Sequence, residues 1–191
     1  MDKLKNKTNL FQKNKSRLLE ILKQHSFKRK HVILAGGKPS SYYLDVRLSS
    51  LHAEGAYLIA STILEMIKHD KIDAIGGLTL GADPIIGAAV ALSGKIKKPL
   101  NGFIVRKEEK KHGMRKLIEG PEPKKTSRVV IIDDVVTTGS STIQALKAVQ
   151  SIGCKIVRVI AVVDRLEGAR ENIKKLNCDL ESIFTIKDFH K

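Results

Sequence analysis

The chain has no tryptophan, only two cysteines, and an aromatic content of 4% in 191 residues. Cys154 and Cys178 are too few for a disulfide framework and lie at no metal-ligand spacing, which points to a reducing cytoplasm. No apolar run reaches the roughly 20 residues that a membrane-spanning helix needs. The lysine-rich start, MDKLKNKTNLFQKNK, lacks the apolar stretch of a signal peptide, so no membrane partner is expected. Internal repeats and linkers are missing too, and one domain spanning 1–191 is the simplest organisation. Acidic residues are also scarce: 20 Asp and Glu stand against 35 Lys and Arg, a net charge of +15. That balance would suit nucleic acid, but the lysines are spread without RNP-like aromatics or a helix-turn-helix signal. A solvated lysine-rich surface is the better reading, with a field that also draws in anionic substrates. Nucleic acid is therefore not expected as a partner.

What is present centres on Val129 to Ser141, VVIIDDVVTTGSS. Four β-branched apolar residues run into Asp133 and Asp134, as in a strand buried on both faces of a parallel sheet. After Val135 and Val136 comes the small polar turn Thr137, Thr138, Gly139, Ser140, Ser141. A helix follows, with Ala145, Ala148, Val149 and Ile152 at helical spacing and Gly153 as its stop. The first amides of a helix lack intrahelical partners and sit at the positive end of its dipole. Glycine admits an anion close to the backbone and the hydroxyls add donors, so the turn reads as a phosphate cradle. The two aspartates suit the hydroxyls of a ribose, directly or through magnesium. The plain alternative is a capped helix after an acidic strand end. No Lys follows the glycine and there is no GxGxxG, so neither a Walker A loop nor a dinucleotide fingerprint is present.

Around this centre, strands alternate with helices, which argues for a parallel sheet covered on both faces. Residues 1–15 read as a loosely ordered basic arm, and Ser16 as the cap of a short helix, Arg17 to His25. Val32–Leu34 and Tyr42–Val46 read as a hairpin with Lys38 in its turn and Arg47 after it; each cation alone reads as surface charge. Ala53 to Lys68 is a helix, and GGLTLGADP is a glycine-rich loop after strand Ile72–Ile75, with Asp83 as the cap of the next helix. The 106–127 stretch has no apolar period and gathers Arg106, Lys107, Lys110, Lys111, His112 and Arg115, the composition of a mobile cationic lid. Asp164-Arg165 ends a later strand, Lys155 to Val163, where open α/β sheets place ligands.

With these pieces in view, the chain resembles the orotate phosphoribosyltransferases, a type I phosphoribosyltransferase family. The resemblance covers nearly everything after residue 16. It is carried by GGKPSSYYLDVR, GGLTLGADP, RKEEKKHG, VVIIDDVVTTGSS and VDRLEG. It implies an α/β type I phosphoribosyltransferase fold, with residues from about 16–48 forming a small N-terminal hood and 106–127 a catalytic lid. It implies transfer of the 5-phosphoribosyl group from phosphoribosyl diphosphate (PRPP) to N1 of orotate. Thr137 to Ser141, with Val135 and Val136, would hold the 5′-phosphate, and Asp133 and Asp134 the ribose hydroxyls. Arg106, Lys107, Lys110 and His112 would close over the diphosphate. Lys107, Lys110, His112 and Asp134 would be the catalytic set, and orotate would meet Arg165 and Thr137. Many relatives place a Lys where this chain has Ala35, so either Lys38 replaces it or the contact is lost. The cofactor would be Mg2+, held mainly by PRPP with Asp133 and Asp134 nearby. The implied assembly is a homodimer with shared sites. Transfer to another base, and a non-catalytic PRPP-sensing regulator on the same fold, are the alternatives that the residues leave open.

Overall fold

The computed structural model describes residues 2–33, 39–108 and 117–190. Among the described residues, eight strands and six α-helices form a six-stranded sheet with helices on both faces and a separate two-stranded ribbon. Helix α1, Asp2–Ile21, starts well before Ser16, which lies inside the helix and caps nothing. The preceding residues contain no Gly or Pro and many lysines, so nothing in them stops a helix. A π-helical turn, Leu22–Ser26, continues α1 into strand β1, Phe27–Ile33. Strand β2, Pro39–Leu44, pairs with β1 antiparallel, so the expected hairpin forms and is longer than its apolar residues suggested. Next come the short helix α2, Arg47–Ser50, and α3, Ala53–Met66.

The main sheet is built from β3 (Ala74–Leu78), β4 (Asn101–Val105), β5 (Ile118–Glu119), β6 (Arg128–Val136), β7 (Lys155–Asp164) and β8 (Leu180–Thr185), in the order β5-β4-β3-β6-β7-β8. All neighbours are parallel except the edge strand β5, which runs antiparallel to β4. Strand β5 lies within 106–127, so part of that stretch belongs to the sheet: its alternation is too short to register as a period. Helix α4, Asp83–Lys95, has Ala82 at its N-cap and not Asp83. The Asp83 carboxylate instead accepts a 2.7 Å hydrogen bond from the Thr79 hydroxyl, so it braces the loop before the helix.

Pleating explains the unbroken apolar run of β6. Val130 and Ile132 join one buried cluster with α1, α3 and α4, while Val129 and Ile131 join the other with α5, Ser140–Ser151, and α6, Ala169–Lys174. Strand β7 alternates likewise, with Ile160 and Val162 on the first face and Val159 and Ala161 on the second. Both cysteines are free and buried, and among the described residues no helix is long and apolar enough to cross a membrane. The chain runs outward from β3 to β4 on one side, then returns to β6 on the other. The switch point of the sheet therefore lies between β3 and β6, where open α/β sheets form a crevice at their carboxyl ends.

Candidate active site

A cleft of about 340 Å³ opens at that switch point. Its floor is the end of β6, Asp133 to Val135; one wall is the loop after β3, Leu78 to Gly81; the rim carries Tyr43, Asp45 and Arg47, with Lys107 and Ser141 also facing it. Larger hollows of about 520 and 670 Å³ flank α3, but neither sits at the strand ends that carry the aspartates.

The pleat that built the core also separates the two aspartates. Asp133 points to the α5 face and is buried; its carboxylate accepts from the Thr142 hydroxyl at 2.6 Å and from the Asp134 amide at 2.9 Å. Asp134 points to the opposite face, where one oxygen accepts from the Val135 amide at 2.8 Å. A Cβ on Gly81 would lie 2.4 Å from that same oxygen, so only glycine lets the loop after β3 press against the Asp134 carboxylate. The Thr79–Leu80 peptide in this loop is cis.

Burial pushes Asp133 up to about 7, and the neighbouring Asp134 charge adds to the shift despite the Thr142 hydrogen bond. Burial also raises Asp134, opposed by the Val135 amide and by the positive charge of Arg47. The folded state thus holds a proton on Asp133 that the unfolded chain has released by about pH 5. Stability from this group is present at low pH and is lost as pH rises toward 7. The substitution Asp133→Asn keeps the shape and removes the charge. It should therefore raise the thermal midpoint at pH 8 by about 3 °C or more, with the gain shrinking toward pH 5. Equal midpoints for variant and wild type across that range would show that Asp133 is not a buried, protonating acid.

The TTGSS turn forms as its composition requires. Gly139 adopts φ +82°, a left-handed conformation that glycine takes without penalty, and sits at the N-cap of α5. Ser140 and Ser141 form the first turn of that helix, where the amides have no intrahelical acceptors. Helix α6 buttresses the turn: the Asn172 amide donates to the Thr138 carbonyl at 3.0 Å, and a Cβ on Gly139 would touch Ile173.

On the rim, the Arg47 Nε and Nη2 each lie 2.8 Å from the Asp45 carboxylate, and the Tyr43 hydroxyl donates to it at 3.3 Å. Arg47 holds Asp45 below its ordinary carboxylate range. Arg47, which read as surface charge, and Asp45, which had not stood out, are thus cleft residues. A cation just after a strand was the available signal, but only the fold turns it inward.

Lys107 faces the cleft of its own chain, and its carbonyl accepts from the Gln144 side chain of α5 at 2.5 Å. Arg106 lies beside it at the sheet edge, its guanidinium 3.2 Å from Glu119 on β5 and its amide bonded to the Leu117 carbonyl. Lys38, Lys110 and His112 fall outside the described residues. The Arg165 amide donates to the Val136 carbonyl at 2.9 Å, which places Arg165 beside Thr137 at the end of the sheet. Its side chain points to the hood, where it meets the ring of Tyr42 at 4.8 Å, and it is paired with Glu167 at 2.9 Å. The donor set for a metal is thin. Among the described residues no group of three or more His, Cys, Asp or Glu is arranged to hold one.

Comparison with known proteins matches this geometry. The phosphoribosyl transferase domain model matches residues 48–191. An orotate phosphoribosyltransferase of Aquifex aeolicus is 44% identical over 175 residues, covering 91% of this chain and 92% of the relative. One from Synechocystis sp. is 40% identical over 174 residues, covering 91% and 87%. The crystal structure of Mycobacterium tuberculosis orotate phosphoribosyltransferase in complex with Fe(III) dicitrate superposes with a TM-score of 0.82 at 36% identity, covering 92% of this chain and 98% of that one. An adenine phosphoribosyltransferase of Leishmania tarentolae, 16% identical with a TM-score of 0.59 over 79% of this chain and 80% of its own, shares the fold alone. On the strand-end aspartates, the glycine-started helix and these relatives together, the chain belongs to the orotate phosphoribosyltransferase family.

Proposed function

We propose that the chain transfers the 5-phosphoribosyl group of PRPP to N1 of orotate, giving orotidine 5′-monophosphate and diphosphate, a step of pyrimidine synthesis. The observation that carries this is the β6–α5 junction, where Asp134 faces the cleft directly upstream of a left-handed glycine that opens a helix. The 5′-phosphate sits on the amides and hydroxyls of Thr137 to Ser141. Asp134 takes the ribose hydroxyls, and buried Asp133, fixed by Thr142, braces the strand end from behind. The bond from the anomeric carbon to diphosphate breaks as the bond from orotate N1 to that carbon forms, through an oxocarbenium-like transition state, and the N1 proton passes to solvent or to the departing diphosphate. Lys107 stabilises the departing diphosphate from within the cleft; Arg106, Lys110 and His112 are assigned to the same task. Arg165 and Thr137 receive orotate, and the hood above them helps to exclude water. Lys38 is kept as the replacement for the lysine absent at position 35.

The reaction takes Mg2+ with PRPP. The residues fit an ion held mainly by the substrate: both Asp133 oxygens already accept hydrogen bonds, and Asp134 accepts one at its Oδ1 from the Val135 amide. Asp134 would be its main protein neighbour, and when bound the ion offsets the charge of the diphosphate. The working form is proposed to be a cytoplasmic homodimer. Its support is the exposure of Leu48 on α2, Leu51 just after it, Tyr57 on α3 and Leu80 in the loop beside the cleft, all large apolar side chains, together with two buried free thiols.

Product analysis tests the reaction. Incubation with orotate, PRPP and Mg2+ should yield one new species with the mass of orotidine 5′-monophosphate. Full consumption of PRPP without that mass would rule out the transfer.

A further inference from the structure

Arg165 is held in an unusual setting. Its side chain is only 8% exposed, yet among the described residues its Nε–H has no aligned hydrogen-bond acceptor; the Glu167 carboxylate 2.9 Å away balances its charge without satisfying that donor. The turn that presents both residues is locked from below. Asp164 accepts from the Leu166 amide at 2.8 Å, and Leu166 takes φ +60°. The guanidinium carbon lies over the ring of Tyr42 on β2, 4.8 Å from its centre. That ring packs against Phe27 of the neighbouring β1 at 5.6 Å and against His190 near the end of the chain at 5.7 Å, so it is held from two sides. Burial raises the Tyr42 hydroxyl, while the nearby Arg165 charge and a side-chain hydrogen bond with Arg165 oppose the rise, so the ring and the hydroxyl are both close to the guanidinium.

A buried guanidinium with an unsatisfied donor awaits a planar anion, because its fork matches a carboxylate through paired N–H groups. Such a match works only if the plane of the fork is set beforehand. We propose that Tyr42 is a positioning residue for Arg165: its ring sets the plane in which the guanidinium meets the carboxylate of the pyrimidine substrate. The hood thereby takes part in choosing the base as well as covering it. This rests on the proposed transfer to orotate.

The test is steady-state kinetics on the full-length protein with orotate and PRPP varied separately, for wild type, Tyr42→Leu and Tyr42→Phe, with a thermal midpoint for each. Losing the ring face should raise the KM for orotate about three- to tenfold in Tyr42→Leu, with kcat and the KM for PRPP within about twofold. Tyr42→Phe keeps the ring and should stay near wild type. An unchanged orotate KM in Tyr42→Leu would overturn the inference. So would both KM values rising together with a fallen midpoint, since the ring would then only hold the hood together. A Phe variant as impaired as the Leu variant would overturn it as well, because the hydroxyl and not the ring face would be responsible. If wild type itself turns over no orotate, the functional reading fails and this inference with it; failure in the variants alone leaves that reading intact.

Discussion

Replacing Asp134 by Asn should lower kcat/KM for PRPP by about one to two decades and leave the fold in place. Asp134 ends β6 at the cleft floor, on the opposite face from Asp133, with Arg47 near enough for its charge to favour the ionised form. Its Oδ1 accepts from Val135 and lies against the glycine of the loop after β3, so an amide of the same shape keeps these contacts. What changes is the charge available to the ribose hydroxyls and the ion. A hydrogen bond to a charged group contributes about 1.5–3 kcal/mol, which sets the expected loss. Full activity at low PRPP in a folded Asp134→Asn protein would remove the carboxylate from the proposed chemistry.

The second large effect concerns assembly. If the working form is a dimer whose lid serves the neighbouring site, two inactive variants should rescue each other. Lys107 lies in its own chain's cleft, so it cannot report on exchange. The test therefore uses Lys110, the other lysine of the 106–127 stretch assigned to the diphosphate. Mixing Lys110→Ala with Asp134→Asn under conditions of subunit exchange makes half of the dimers hybrid. Each hybrid has one intact site, with the cradle of the first subunit and the lid of the second, and one site with both lesions. Roughly a quarter of wild-type activity should return in a closed two-fold dimer. Activity that stays at the parents' level after verified exchange would mean that each lid closes over its own site.

Much of this was legible because it is local. The β6–α5 unit declares itself through a β-branched run, a glycine that must adopt positive φ, and small hydroxyl residues at a helix start. The period-2 rule applied to Asp133 and Asp134 also puts their side chains on opposite faces, although both residues line the cleft. Other features are not local. Nothing near Ser16 shows that the helix runs through it, since Ser is tolerated mid-helix where neighbouring residues favour helix and Leu18 and Ile21 are buried. Asp83 had the composition of a cap, but the Thr79 hydroxyl four residues earlier claims its carboxylate. Arg47 becomes a cleft residue only when the hood folds over β6, and the stack of Arg165 on Tyr42 joins residues far apart in the chain. Contacts of that range leave no periodicity to read.

The central claim is that this cleft transfers phosphoribose to orotate. Diphosphate release by the purified protein, with PRPP and Mg2+ and with orotate, uracil or hypoxanthine as the only base, tests it most directly. Rapid release with orotate, at least about tenfold slower release with uracil, and none above background with hypoxanthine is the expected result, because only orotate offers Arg165 a carboxylate. Release that is equally fast with uracil or faster with hypoxanthine would contradict it, as would PRPP binding without release for any base, the behaviour of a sensor.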